Sequence, residues 1–377
     1  MTQVGLADLI NRTSSSVSRW EGGDQSPELD AVEALSSALN VPVSFFMQPL
    51  RQHGNRPLFF RSMASTTLTV RRRTESRLRW AQNISLVLQE WLDFPSVDLP
   101  HLNVSDYRSI GDQDIERVAA DCRAAWGLGQ GPISDVLLAM ENAGVVAVKE
   151  ATGTVTMDGL SNWSDEDQRP YVLIAQDKDT CVRSRMDAAH ELGHLVLHRH
   201  ISSQELNSKS DFKEIERQAF LFASAFLMPS ESFPSEVWSP SLNTFLALKE
   251  RWRVSIAAMI MRCSKLDMIG DEYQQRLWKH YNSRGWRRDE PLDDVLVPEE
   301  PRLLNRSIRL VIDEGVVTHS DLLAQIALRG SDVESLCGLP RGFLSGEQAE
   351  VIKLPTLKKD LPIDGGGAAI VQFPKKH

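Results

Sequence analysis

Cysteine is scarce in this chain and never closely spaced. Its four thiols, Cys122, Cys181, Cys263 and Cys337, form no CxxC pair. That argues against a disulfide framework or a cysteine-based metal clip, and for buried thiols in a reducing cytoplasm. Long apolar runs are missing too. The longest, Ala219 to Met228, is interrupted by Ser224 and reaches about half a bilayer span, so no transmembrane helix is expected. The opening MTQVGLADLI lacks the basic stretch and long apolar run of a secretory leader. No repeat of solenoid length recurs. Positive charge is in deficit, 42 Lys and Arg against 51 Asp and Glu, which excludes a uniformly basic nucleic-acid coat. What is present is ordinary for a globular chain, 42% hydrophobic and 25% charged over 377 residues. That length calls for two or three domains.

The net charge of -9 is unevenly spread. Residues 1–50 carry a net of -4, whereas residues 51–79 carry Arg51, Arg56, Arg61, Arg71, Arg72, Arg73, Arg77 and Arg79 against Glu75 alone, a net of +7. This basic block is where phosphate contacts are expected. Short helical patterns fill the first fifty residues, broken by Asn11, Gly22-Gly23, Pro27 and Pro42. A long helix is predicted over about 67–92, closed by Pro95 and Pro100. Helices at 115–126 and 133–142 follow, then β-like runs at 145–149 and 171–175, then helices at 181–198 and 212–227. Beyond 240 the pattern is helical again, and the tail from Leu354 reads as loosely ordered. The fold class is α+β, mostly α.

The sharpest motif is His190-Glu191-Leu192-Gly193-His194. Residues four apart share one face of a helix, so both imidazoles reach a single ion. Glu191 lies about 100° round from His190, where a carboxylate can accept a proton from a bound water. This is the HExxH arrangement of zinc hydrolases. Catalytic zinc takes three protein ligands and an open position. Three residues compete for the third place. His198 follows His194 by four. His200 stands where an HExxHxxGxxH site would put its ligand, but Leu197 replaces the helix-breaking glycine. Glu216 lies on the next helix and is favoured.

The run MDAAHELGHLVLH followed by EIERQAFLFASAFLMP resembles the ImmA/IrrE family of metallopeptidases, over roughly residues 110–230 and more loosely to about 340. That family pairs an HExxH helix with a later ExxAN…FA…LMP helix whose Glu is the third ligand. Here the second motif reads Glu216-Arg217-Gln218-Ala219-Phe220, then Phe222-Ala223 and Leu227-Met228-Pro229. The resemblance implies a zincin-like, gluzincin-type domain with Zn2+ on His190, His194 and Glu216 and with Glu191 as acid–base. Phe220 stands where the family has Asn, a position at which a polar side chain orients the histidine ligands. The departure bears on hydrolysis more than on metal binding. His198, Tyr171 and Arg185 are candidate oxyanion donors, each reading first as structural. Trp163 and Asp165-Glu166-Asp167 read as a solvated loop between strands.

At the other end Thr2 is placed to cap a helix carrying Val4, Leu6, Ala7, Leu9 and Ile10. Asn11 tolerates a left-handed turn, and Thr13 can cap a second helix through Trp20. Two short helices so joined make a helix-turn-helix. The second would present Ser14, Ser15, Ser18 and Arg19 to a DNA groove, with Val17 and Trp20 facing inward. The order TQVGLA, SRWEGG and a helix after Pro27 is similar to the Xre/Cro-type DNA-binding domain. The family's usual first helix is missing before the Thr2-Gln3 segment. Gly5 stands where a helix former is usual, a cost of roughly 0.5–1 kcal/mol. The module is acidic, so DNA affinity is expected from Arg71, Arg72 and Arg73 or from homodimerisation.

The organisation expected is therefore an Xre-type head at 1–49, an Arg-rich linker and long helix at 50–105, a metallopeptidase domain at 106–240, a C-terminal helical region at 241–350 offering a protein-interaction surface, and a tail at 351–377. Together the resemblances imply a cytoplasmic regulator of a toxin–antitoxin or prophage operon. Its partners would be operator DNA and a repressor or other protein that it cleaves. The alternative keeps the fold without the chemistry: a non-catalytic antitoxin or sensor whose metallopeptidase fold is a scaffold for a cognate toxin or ligand.

Overall fold

The computed structural model describes residues 1–49, 56–60, 67–102, 104, 106–177, 180–206 and 208–346. Arg51, Arg61 and the expected tail lie outside the described residues.

Four short helices open the chain: α1 (Gln3–Leu9), α2 (Ser14–Glu21), α3 (Leu29–Leu39) and α4 (Val43–Met47). The Thr2 hydroxyl accepts the Gly5 amide and the Thr13 hydroxyl accepts that of Ser16, satisfying amides that the first turn leaves without a helical partner. Asn11 makes the turn between them at φ 53°. Ala7, Ile10, Val17 and Leu35 form a small core with Trp20 packed against it, while Val4, Leu9 and Leu29 stay exposed. Ser14, Ser15, Ser18 and Arg19 are exposed along α2. Phe45 of α4 meets Trp80 edge to face at 6.3 Å, which joins this module to the next helix.

The rest is built on a four-stranded sheet. Its strands are β1 (Phe59–Phe60), β2 (Val146–Glu150), β3 (Gly159–Trp163) and β4 (Pro170–Ala175), in spatial order β1-β3-β4-β2. β2 and β4 run parallel, and the other two pairs are antiparallel. Between β1 and β2 come α5 (Leu68–Leu88), α6 (Asp112–Ala125) and α7 (Val136–Asn142). After β4 come α8 (Cys181–Leu197), α9 (Ser203–Leu206), α10 (Lys209–Leu227), α11 (Phe233–Glu236), α12 (Leu242–Trp252), α13 (Ile256–Lys265), α14 (Asp271–Ser283), α15 (Leu303–Asp313), α16 (His319–Ile326) and α17 (Gly330–Leu336).

β4 is apolar throughout because both faces of the sheet are covered. Val172 and Ile174 join a core with α6, α7, α8, α10 and α12–α14. Tyr171 and Leu173 join a second core, made with α5 and α15–α17. The helix expected as a linker is thus one side of the sheet's second core. Packing is likewise shared across the boundaries drawn at 105 and 240.

Three of the block arginines serve that packing. Arg77 pairs with Glu150 (3.1 Å) and Asp332 (2.6 Å), Arg56 with Asp165, and Arg79 with Glu75 (3.7 Å). Arg72 and Arg73 are exposed and Arg71 is half-buried. Among the described residues the exposed members of the block on α5 are thus Arg72 and Arg73.

One loop expectation is corrected. Gly159-Leu160-Ser161-Asn162-Trp163 is a strand, and Trp163 is buried in it rather than solvated, with its indole N–H donated to the Leu195 carbonyl at 3.1 Å. Asp165 and Glu166 lie exposed in the turn that follows. The thiols are buried as expected, and burial pushes those of Cys122, Cys263 and Cys337 up.

Candidate metal centre

α8 is buried along nearly its whole length, so its polar residues need partners inside the protein. His190 and His194 stand one turn apart on it and face α10. The helices approach closely because residue 193 is glycine. A Cβ there would lie 3.1 Å from the Ala219 carbonyl oxygen and 3.2 Å from the Ala219 Cα. The approach brings Glu216 over both rings.

The three donors form a compact triangle. His190 Nε2 and His194 Nε2 are 3.1 Å apart; Glu216 Oε1 is 3.3 Å from His194 Nε2 and Glu216 Oε2 is 3.4 Å from His190 Nε2. Donors bound to tetrahedral zinc at 2.0–2.1 Å are separated by about 3.3 Å. The two nitrogens, and the carboxylate oxygen that faces each of them, therefore stand at the spacing of neighbouring donors in such a shell, and two imidazoles with a carboxylate are a donor set zinc takes. Among the described residues this is the group of histidine, cysteine and carboxylate side chains close enough to hold an ion.

A chain of hydrogen bonds fixes the tautomers. His194 Nδ1 meets His198 Nδ1 at 2.9 Å, His198 Nε2 meets Gln218 Oε1 at 3.0 Å, and Gln218 Nε2 donates to the Tyr107 carbonyl at 2.9 Å. The Gln218 amide must donate to Tyr107, so its oxygen accepts. His198 then carries its proton on Nε2 and accepts at Nδ1, which leaves the His194 proton on Nδ1 and a lone pair on Nε2, pointing at the triangle. Burial, and next the neighbouring His194, push His198 down to about 3, so it is neutral as this role requires. His198 thus lies behind His194, outside the group that faces Glu216, and His200 is exposed at the helix end.

Glu191 is fully buried beside the triangle, accepting the Ser161 hydroxyl at 2.6 Å. Gly159, two residues earlier on β3, makes room for it; a Cβ there would sit 2.7 Å from Glu191 Oε1. Two aromatic rings flank the histidines. Phe59 of β1 stacks on His194, centroids 4.8 Å apart and the rings nearly parallel, and Phe220 lies 4.4 Å from His190. Phe220 is also one wall of a cavity of about 650 Å³, lined with Met186, Leu221, Ala258 and Met261.

The other residues weighed for oxyanion binding are committed elsewhere. The Tyr171 hydroxyl bonds to Ser85 (3.0 Å) and Asp167 (2.7 Å) on the opposite face of the sheet. Arg185 pairs with Glu299 and donates to the Ile133 carbonyl at 2.7 Å. Sequence reasoning missed Gly159, Ser161, Gln218 and Phe59. Of these only Gln218 carried a signal, lying two residues beyond Glu216 in the second motif.

Residues 140–264, about a third of the chain, match the model of a peptidase family described as the IrrE N-terminal-like domain. The match contains every residue of the triangle, together with Glu191, His198 and Gln218. It begins after α6 and ends in α13, later at both ends than the 110–230 expected. No curated protein matches the chain. Among the described residues no helix is long and apolar enough to cross a membrane. Residues 140–264 are thus similar to a metallopeptidase-type domain.

Proposed function

We propose that the chain is a cytoplasmic regulator in which a zinc-dependent peptidase centre is joined to a DNA-binding head. The observation that carries the reading is the His190–His194–Glu216 group, whose donor spacings of 3.1–3.4 Å suit zinc and in which the lone pair of His194 is set by the His194–His198–Gln218 chain. Zinc held there would polarise a peptide carbonyl and lower the pKa of a water. Glu191, steadied by Ser161, takes the proton of the attacking water and returns it to the leaving amine. The cavity beside Phe220 would take an apolar side chain of the polypeptide. At the head, Ser14, Ser15, Ser18 and Arg19 would face a groove of operator DNA, with Arg72 and Arg73 on phosphates.

Metal analysis tests the centre. About one zinc per chain is expected in the wild type, much less in Glu216→Ala, and an undiminished content in that variant sinks the ligand assignment. Glu191→Gln should keep its zinc and lose hydrolysis. A second reading, a non-catalytic antitoxin or sensor of the same fold, draws support from two features: His190, Glu191 and His194 are wholly buried, and Phe220 packs on His190. Zinc without hydrolysis in the wild type, with partner binding unaffected in Glu191→Gln, would favour it.

A further inference from the structure

A sheet edge presents unpaired amides and carbonyls, to which an extended polypeptide can add as a further strand. The free side of β3 is such an edge, and it is filled from within the chain. β1 pairs with it antiparallel, Phe59 opposite Ser161 and Phe60 opposite Leu160. The residues leading into β1 are gripped by side chains of the same strand and turn. Asn162 Nδ2 donates to the carbonyls of Arg56 (3.2 Å) and Pro57 (3.0 Å). The Arg56 guanidinium pairs with Asp165 and donates to Gln168 Oε1 at 2.8 Å. Phe59, only 2% exposed, lies flat on the ring of His194, and its ladder partner Ser161 is the residue that holds Glu191. In this arrangement His190, Glu191 and His194 are wholly buried.

We propose that residues 56–60 are an intramolecular plug, and that an extended polypeptide reaches the centre only after β1 leaves the edge of β3. Among the described residues the ladder comprises two residue pairs, and a short ladder opens at little cost. It stands in the chain between the helical head and α5. The inference rests on the reading of His190, His194 and Glu216 as zinc ligands, and its test separates the two.

In an Arg56→Ala/Phe59→Ala protein loaded with zinc to the wild-type stoichiometry, transfer of zinc to a chelating dye should be faster by about tenfold or more, the factor for losing one buried aromatic contact. In the unloaded protein, hydrogen exchange in Gly159–Trp163 should rise. A peptide Arg-Pro-Leu-Phe-Phe added in trans should reverse both changes. Asp165→Asn only releases the exposed end of Arg56 and should act in the same direction by about two- to threefold; it decides the matter if the double variant does not fold. Wild-type exchange and wild-type zinc transfer in a folded variant overturn the proposal. If neither protein holds zinc, the ligand reading fails, and exchange alone decides: a rise reversed by the peptide upholds the plug, and an unchanged rate removes it.

Discussion

Replacing Gln218 with leucine removes the end of the chain that fixes the histidines without touching a metal donor. Gln218 is fully buried, and its amide bridges His198 Nε2 at 3.0 Å and the Tyr107 carbonyl at 2.9 Å. In Gln218→Leu the His198 Nε2–H loses its acceptor in a site without solvent, at a cost of about 1–3 kcal/mol. His198 can escape the cost by moving its proton to Nδ1, where it would donate to His194 Nδ1. That step forces the His194 proton onto Nε2 and removes the lone pair that faces Glu216. Metal binding must then work against the preferred tautomer, and zinc affinity should fall by about 10- to 100-fold. Competitive titration against a chromophoric chelator measures it, with circular dichroism checking the fold. A folded Gln218→Leu protein that binds zinc within about twofold of wild type would refute the tautomer argument, because an apolar side chain of similar size cannot replace the acceptor.

Three further outcomes follow from particular contacts. Gly159→Ala places a methyl 2.7 Å from Glu191 Oε1, so the carboxylate must swing away; zinc content should hold while hydrolysis of a fluorogenic peptide falls by about 100-fold or more, and unimpaired turnover contradicts the positioning role. Burial pushes the Glu141 carboxyl up to about 7, partly opposed by the Arg302 and Leu303 amides that it accepts. The folded state then keeps a proton that the unfolded chain loses near pH 4.5, so this stability is complete below pH 4.5 and is lost as pH rises through 7. Urea unfolding at pH 5 and pH 8 should show a smaller loss in Glu141→Gln than in wild type, by about 3 kcal/mol at most, and equal losses would exclude Glu141 as the source. Finally, Arg72→Ala and Arg73→Ala should each weaken DNA binding and lower the salt slope by about one, whereas Asp332→Ala, which touches only the internal pair of Arg77, should leave that slope unchanged. A slope insensitive to both arginines would remove them from the phosphate contacts.

The legible features were those in which cause and effect lie within a turn or two of helix. The caps at Thr2 and Thr13, the left-handed Asn11 and the bounds of α8 and α10 all depend on neighbours a few residues away, and the sequence pattern predicts them closely. β3 was invisible because Gly159, Ser161 and Asn162 are weak strand formers; the strand exists because β4 and β1 pair with it. The basic block was legible as charge but not as use. Arg56 and Arg77 look like phosphate ligands in sequence and become internal ion-pair partners only when Asp165, Glu150 and Asp332 are brought to them, whereas the pair of Arg79 with Glu75 is a local one, four residues apart on α5.

What the sequence determined alone was that His190 and His194 share a helix face with Glu191 beside them, since helical geometry makes that a matter of counting. It also pointed to Glu216, through the second motif. The tertiary structure decided which nitrogen of each histidine faces the centre, that Ser161 holds Glu191, and that Phe59 covers His194. Those contacts join residues far apart in the chain, and packing of the sheet and helices sets them, not any local spacing.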